Sequence, residues 1–382
     1  LSMGHGQDWP GITLKAPEGR WNLSAFEYLA VDVTNMGTDG CDVHMRIDSP
    51  TDDGEQVSVT GNLLLAPGDT KTLAVTLTRR LPKELAAKLF GMRGYPGGYA
   101  KENAIDPAII DQLLIFAHHP SQDHTLEIDN IRAGGSSRTP RWLTMSEDEF
   151  FPMIDRFGQF VHKDWIGKVE SIDDFRRLKQ QEAIDLDRHP RPDSWNQYGG
   201  WKEGPQLQAT GRFRVEKYLG RWWLVDPDGR LFWSHGIDCV RSTTGYTPIT
   251  GREFLFADLP ARESPFAQFH GQANWAPHGF YQGKNFATYN FSGANLLIKY
   301  GPDWRAQFED LCHRRLRSWG MNTIGNWSES SIYLMRKTPY VATLDAGKKP
   351  IEGSAGYWGK FPDVFDPEFR ESLVKRLALE RG

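Results

Sequence analysis

Apolar and polar positions alternate with period two in several short runs of the first third of the chain. The runs are residues 28–34, 42–47, 62–65, 72–77, 113–116 and 125–131, separated by clusters of Gly, Asp and Pro. Successive side chains of a strand point to opposite faces of a sheet, so this pattern predicts short strands with one buried face. Strands at such spacing favour a β-sandwich of the jelly-roll kind over residues 1–135, with one helical excursion at 81–89. The pattern then changes. Residues 136–205 read as a helical linker region, with helices at 146–150 and 171–187. The second opens on Ser171-Ile-Asp-Asp174, a capping-box-like spacing, and carries Phe175, Leu178 and Ile184 on a helical stripe.

The second half begins as a meander and becomes a β/α pattern. Residues 212–218 predict a strand, residues 222–225 a second, Asp226-Pro227-Asp228-Gly229 a turn, and Leu231, Phe232 and Trp233 the start of a return strand. That return strand runs on into Ser234, His235, Gly236, Ile237 and Asp238, so polar groups collect where a strand leaves a core. Residues 242–300 show little periodicity and read as a structureless, substrate-enclosing loop. After it, Asp303 caps a helix with the stripe Trp304, Phe308, Leu311, Cys312 and Leu316, ended by Gly320. Strands at 323–327 and 340–344 alternate with helices at 330–338 and after Asp366-Pro367, the last burying Phe369, Leu373 and Leu377. This order predicts a parallel sheet, here the start of a (β/α)8 TIM-type barrel over 206–382, truncated after about three βα units. A complete barrel takes about 250 residues.

Composition narrows the function classes. The 382 residues are 39% hydrophobic and 25% charged with a net charge of -4, and no dense run of Lys or Arg points to nucleic acid. No apolar stretch is long enough to span a bilayer, and no signal peptide is legible at Leu1. Three distant cysteines make neither a disulfide framework nor a zinc site, and the spacing of His118, His119 and His124 matches no metal motif. No cofactor is expected, save a structural calcium on loop carboxylates such as Asp52 or Asp53. The 14 Trp, 12 Tyr and 21 Phe are the outlying number, many of them beside Gly, Asn and Asp. Such rings stack on the C–H faces of sugars while neighbouring polar groups take the hydroxyls.

The run from Trp223 to Asp238, the run Gly320-Met-Asn-Thr-Ile-Gly-Asn-Trp-Ser328, and the order jelly roll then barrel resemble the β-agarases of glycoside hydrolase family fifty. The end of the sandwich, Leu126-Glu-Ile-Asp-Asn-Ile-Arg132, resembles the last strand of galactose-binding-like carbohydrate modules. The resemblance implies a retaining, exo-acting hydrolase of agarose or its oligosaccharides that releases neoagarobiose, located in secreted, periplasmic or cell-surface form. It also implies an acid/base and a nucleophile glutamate at later barrel strands, hence beyond Gly382, supplied by further sequence or a second chain. Within the 382 residues, substrate binding falls to His235 and Asn326 through hydroxyl hydrogen bonds, and to Asp238 and Arg241 through hydroxyls or by orienting one another. Trp327, Trp275 and Tyr246 suit ring stacking, and Glu329 completes the strand-tip set. Arg241 as an ion-pair brace, a galactan-binding protein without hydrolytic machinery, and another β-galactan such as porphyran as substrate are the competing readings.

Overall fold

A computed structural model describes residues 1–382 except 52–53, 93, 101, 243–245, 277–278, 345–348, 354–360 and 380–382. Asp52 and Asp53, the calcium candidates, lie outside the described residues. The chain divides into two units. The first comprises Leu1–Met153, Phe160–Lys163 and Asn274–Asn285; the second comprises Ile154–Gln159, Asp164–Ala273 and Phe286–Gly382.

In the first unit the alternating runs form two four-stranded antiparallel sheets. The strands are β1 (Ser2–Met3), β2 (Gly11–Lys15), β3 (Tyr28–Asn35), β4 (Cys41–Pro50), β5 (Gln56–Leu65), β6 (Thr70–Thr76), β7 (Gln112–Ala117) and β8 (His124–Gly134). One sheet has the order β1-β8-β3-β6 and the other β2-β7-β4-β5. Val31, Val33, Val75 and Leu126 of one sheet close on Val43, Met45, Ile47 and Ile115 of the other in a single core. Strand β4 shows the physical rule plainly: Val43, Met45 and Ile47 are buried, while His44 and Arg46 between them are half-exposed. The excursion is a helix, α1 (Lys83–Lys88). A second helix, α2 (Glu147–Phe150), starts at a capping box in which the Ser146 amide donates to the Glu149 carboxylate at 2.9 Å.

The second unit mixes helices with three small sheets. Helix α3 (Ile172–Arg188) has the expected cap, with the Asp174 amide donating to Ser171 Oγ at 3.3 Å. Strands β9 (Arg214–Tyr218), β10 (Arg221–Val225) and β11 (Leu231–Phe232) form the antiparallel meander. Its turn is closed by the Gly229 amide on Asp226 O at 3.0 Å, with Gly229 at φ +85° where a side chain would be strained.

The return strand departs from the sequence expectation. It stops at Phe232, and a separate strand, β12 (Gly236–Ile237), begins in another sheet. The buried Asn322 side chain makes this crossing: its amide nitrogen donates to Trp233 O at 2.9 Å and Gly199 O at 3.0 Å, and its oxygen accepts from the His235 amide at 2.9 Å. Side-chain bonds thus replace ladder bonds at the Trp233 carbonyl and the His235 amide, and main-chain pairing resumes at the His235 carbonyl, which accepts from the Asn322 amide at 2.8 Å.

Residues 242–300 are not structureless. Strand β15 (Phe286–Asn290) lies between β13 (Tyr246–Pro248) and β14 (His270–Ala273), and helix α4 (Phe291–Tyr300) follows, capped by Asn290 Oδ1 accepting from the Gly293 amide at 2.9 Å. Strands of three to five residues are too short for a period to register, and β14 is built from His, Gly, Gln and Ala.

Helix α5 (Trp304–Ser318) buries Trp304, Cys312 and Leu316 of the predicted stripe, although the Asp303 side chain makes no capping bond. The β/α order is present in abbreviated form. Strand β16 (Thr323–Ile324) pairs in parallel with β12, and Ile324 makes a parallel bridge to Tyr340. The intervening helix is only α6 (Ser330–Tyr333). The last helix, α7 (Pro367–Leu379), starts where expected but has no buried residue, with Val374 and Leu377 exposed among the described residues.

Candidate functional site

Two adjacent parallel strands end in loops that zip together, and most of the predicted residues sit on those loops. The Gly325 amide donates to Ile237 O at 2.8 Å, the Cys239 amide to Asn326 O at 2.8 Å, and the Glu329 amide to Val240 O at 3.0 Å. Side chains fill the gaps. Asp238 Oδ1 accepts from the Asn326 amide at 2.7 Å, and Ser328 Oγ accepts from the Val240 amide at 3.0 Å. Glu329 Oε1 accepts from the Ser242 amide at 3.0 Å and from Ser242 Oγ at 3.1 Å. Asn326 Oδ1 accepts from Thr343 Oγ1 on the next segment.

The local sequence dictates this geometry. A side chain at position 325 would put Cβ 2.1 Å from Asp238 Oδ1, so only glycine lets the carboxylate lie across the neighbouring backbone. Cys239 and Trp327 hold φ of +59° and +56°, a conformation that non-glycine residues adopt at a cost of about 1–3 kcal/mol and that clusters at functional sites. Trp327 turns out to 56% exposure as a result.

The arrangement brings Asp238, Asn326 and Glu329 into one hydrogen-bonded platform flanked by exposed Arg241 and Trp327. His235, expected at a strand tip, instead precedes β12, where its amide is held by Asn322 at the amino end of the strands. The His235 imidazole and the Arg241 guanidinium have no hydrogen bond or ion pair among the described residues, so both are open to a ligand. The ion-pair brace is thus not seen for Arg241. Tyr246 leads β13, 48% exposed, in a different sheet. Trp275, 62% exposed, lies on the Asn274–Asn285 segment grouped with the first unit. Both carboxylates of the platform already satisfy backbone amides. Among the described residues no group of three or more His, Cys, Asp or Glu is placed to hold a metal ion.

Sequence reasoning missed two kinds of residue. Asn322, just before β16, positions His235 through its amide, and an Asn beside a run of apolar and β-branched residues was the available signal. The second is a brace between helices. Glu182 of α3 accepts from Lys299 Nζ at 2.9 Å and Tyr300 OH at 2.5 Å of α4, and from Arg315 Nε of α5 at 2.6 Å. Burial by itself would raise the Glu182 pKa, but the Tyr300 hydroxyl, Lys299 and Arg315 outweigh it and hold the carboxyl below its ordinary value. A cavity of about 1030 Å³ in this unit has Tyr198, Arg317, Thr338 and Pro339 among its lining residues, which precede the strands or pack beneath their starts. It is therefore at the opposite end from the platform, and the polar strand tips are the better candidate.

The chain is similar to β-agarases over nearly its whole length. It is 28% identical over 414 residues to Beta-agarase B of Vibrio sp. (strain JT0107), covering 97% of this chain and 42% of that protein. It is 26% identical over 402 residues to Beta-agarase A of the same strain, covering 97% and 38%. Among solved structures, PfGH50B matches at 27% identity and a TM-score of 0.58, covering 98% of this chain and 57% of that one. The structure of an exo-beta-agarase matches in fold at 24% identity and a TM-score of 0.57, covering 98% and 56%. The chain thus spans less than half the length of the curated relatives. No protein-family model matches it.

Proposed function

We propose that this chain is the sandwich and the first part of the catalytic domain of an exo-acting β-agarase, a glycoside hydrolase that releases neoagarobiose from agarose or neoagaro-oligosaccharides. The observation that carries the reading is the unbroken similarity to two β-agarases along 97% of the chain. The parallel strands β12 and β16 and the Tyr340 bridge are, in this reading, the opening of a (β/α)8 barrel, whose active sites lie at the carboxyl ends of the strands. The zipped platform occupies that end.

The roles follow from what each group has left to offer. In the second unit His235 and Arg241 donate to sugar hydroxyls, Asn326 offers its side-chain amide, and Trp327 and Tyr246 supply apolar faces for stacking; Trp275 offers an exposed ring in the first unit. Asp238 and Glu329 keep the platform in register through the amides they hold. Retaining hydrolysis needs an acid/base and a nucleophile carboxyl about 5 to 5.5 Å apart. Because both platform carboxylates are held by amides, we assign acid/base and nucleophile to glutamates outside these 382 residues. A polymeric gel substrate places the enzyme outside the cytoplasm, in secreted, periplasmic or cell-surface form.

The test is a product analysis with the full-length gene product on agarose and neoagarohexaose. Neoagarobiose as the early product, with retained anomeric configuration by NMR, is expected. Glu329→Gln and Asp238→Asn should lower kcat/KM and leave measurable turnover. A ladder of longer oligosaccharides would refute exo action. Complete loss of kcat in Glu329→Gln would move a catalytic carboxyl into this chain, and inertness toward every galactan would overturn the reading.

A further inference from the structure

We infer that the cavity of about 1030 Å³ at the amino end of the parallel strands binds a sugar carrying a sulfate or phosphate ester, held by Arg191, Arg317 and Arg336. This assignment goes beyond the β-agarase reading and does not rest on it.

Charge is the first observation. The chain as a whole carries a net charge of -4, yet Arg191, Arg314, Arg317, Arg336 and Lys337 all line this one cavity, against the two carboxylates Asp187 and Asp310. Both carboxylates are already paired, Asp187 with Arg314 at 2.9 Å and Asp310 with Lys337 at 2.5 Å. The other three guanidinium groups have no counter-charge. Arg317 gives one nitrogen to the Lys337 carbonyl, while the Arg191 and Arg336 side chains make no hydrogen bond or ion pair among the described residues. Burial first, then the like charge of Arg191, hold the Arg317 guanidinium below its ordinary pKa. Like charges gathered around a hollow repel one another, and a bound oxyanion removes that repulsion.

Helix ends do not account for these cations. Arg317 lies in the last turn of α5, where a positive charge complements the dipole, but Arg191 and Arg336 stand beyond the ends of α3 and α6 and bond no carbonyl there. The segment that carries Arg336 is fixed instead by a side chain. The buried His313 imidazole of α5 accepts from Thr338 Oγ1 at 2.9 Å and donates to Ile332 O at 3.0 Å, so it pins the chain on both sides of Arg336. Burial holds the pKa of this ring below its ordinary value, which keeps it neutral and able to do both. Arg336 itself is held at φ +58°, a region costly for a non-glycine residue.

The remaining lining selects a ring beside the anion. Tyr340 is exposed and backed by Tyr333, whose ring stacks on it at 4.7 Å between centroids, and exposed Phe213 meets Tyr198 edge-on at 6.0 Å. Aromatic faces suit the C–H face of a pyranose, and guanidinium forks take the oxygens of a sulfate or phosphate. A bare inorganic anion would leave most of this volume empty. A nucleic-acid backbone needs cations in a stripe along an open face, not gathered around a cavity.

The experiment is calorimetry at low ionic strength with the full-length protein, using galactose 6-sulfate, galactose 6-phosphate, inorganic phosphate and galactose as probes. Both esters should bind, more weakly as salt is added, and galactose should not. Arg191→Ala and Arg336→Ala should each lower the affinity on the order of tenfold with unaltered thermal unfolding. Asp187→Asn, which releases Arg314, should raise it severalfold, a gain that a purely structural role would not produce. Tighter binding of the sulfate would identify a sulfated saccharide as the source of the ligand, and tighter binding of the phosphate a phosphorylated sugar. Failure of both esters to bind, or equal binding in the two arginine variants, would overturn the site. Inorganic phosphate bound as tightly as the esters would overturn the sugar part of the assignment. Lower thermal stability of both arginine variants without ester binding would assign the arginines to a carboxylate elsewhere in the full-length protein and overturn the proposal.

Discussion

The two units solve the burial problem in opposite ways. In the sandwich, strands of up to eleven residues in two sheets face one another, so Val31, Val33, Val43, Met45, Ile47 and Ile115 are completely buried. In the parallel region, strands of two residues have one or two neighbours, and Ile237, Trp233 and Val341 are exposed among the described residues. The sandwich strands also pair with distant segments, β3 with β8 and β2 with β7, but over five or more residues, whereas β12 and β16 pair over two. Alternation therefore reports a finished core in one unit and only strand position in the other.

The largest expected contrast is in core truncation. Ile47→Ala should cost about 3–4 kcal/mol in urea unfolding, and Ile237→Ala less than about 1 kcal/mol. Equal costs would end the comparison, because Ile237 would then be as well packed as the sandwich core.

Next is the helix brace, the parallel unit's substitute for a large core. Glu182→Gln should destabilise by roughly 2 kcal/mol, since it leaves Lys299 and Arg315 half-buried without their counter-charge. Because the folded carboxyl has a lowered pKa, its contribution is complete above the ordinary carboxylate value and fades as pH falls through the folded one. Acid titration of stability should thus be shallower in Glu182→Gln. An unchanged acid limb would show that the cluster contributes nothing.

The smallest effect sharpens the contrast by being small. Tyr289 is fully buried on β15 with no hydrogen-bond partner for its hydroxyl among the described residues, and burial first, then Asp258, pushes its pKa up to about 12. Tyr289→Phe should change stability by no more than about 0.5 kcal/mol, or raise it, because the ring contacts with His270 and Phe291 survive. A loss above about 1.5 kcal/mol would reveal a hydroxyl bond.

Particular residues mark how far the sequence could be read. The alternating runs located the six longer strands of the sandwich because period two is imposed by the pleat itself. The same reading missed β1 and β2, which are short or largely exposed, and took 242–300 for a loop. It placed Asp238, Asn326 and Glu329 together because all three follow strands that a β/α order sets side by side.

The sequence by itself determined which segments alternate, where helices α3 and α5 run, and that polar residues crowd the ends of two strands. Local stereochemistry and solvent enforce those features one residue at a time. Only the tertiary structure decided that the return strand breaks at Asn322's side chain, that Glu182 ties three helices, and that Asp238 lies across the backbone of Gly325 and Asn326. Each of those depends on groups far apart in sequence, whose meeting is fixed by register and packing rather than by any local pattern.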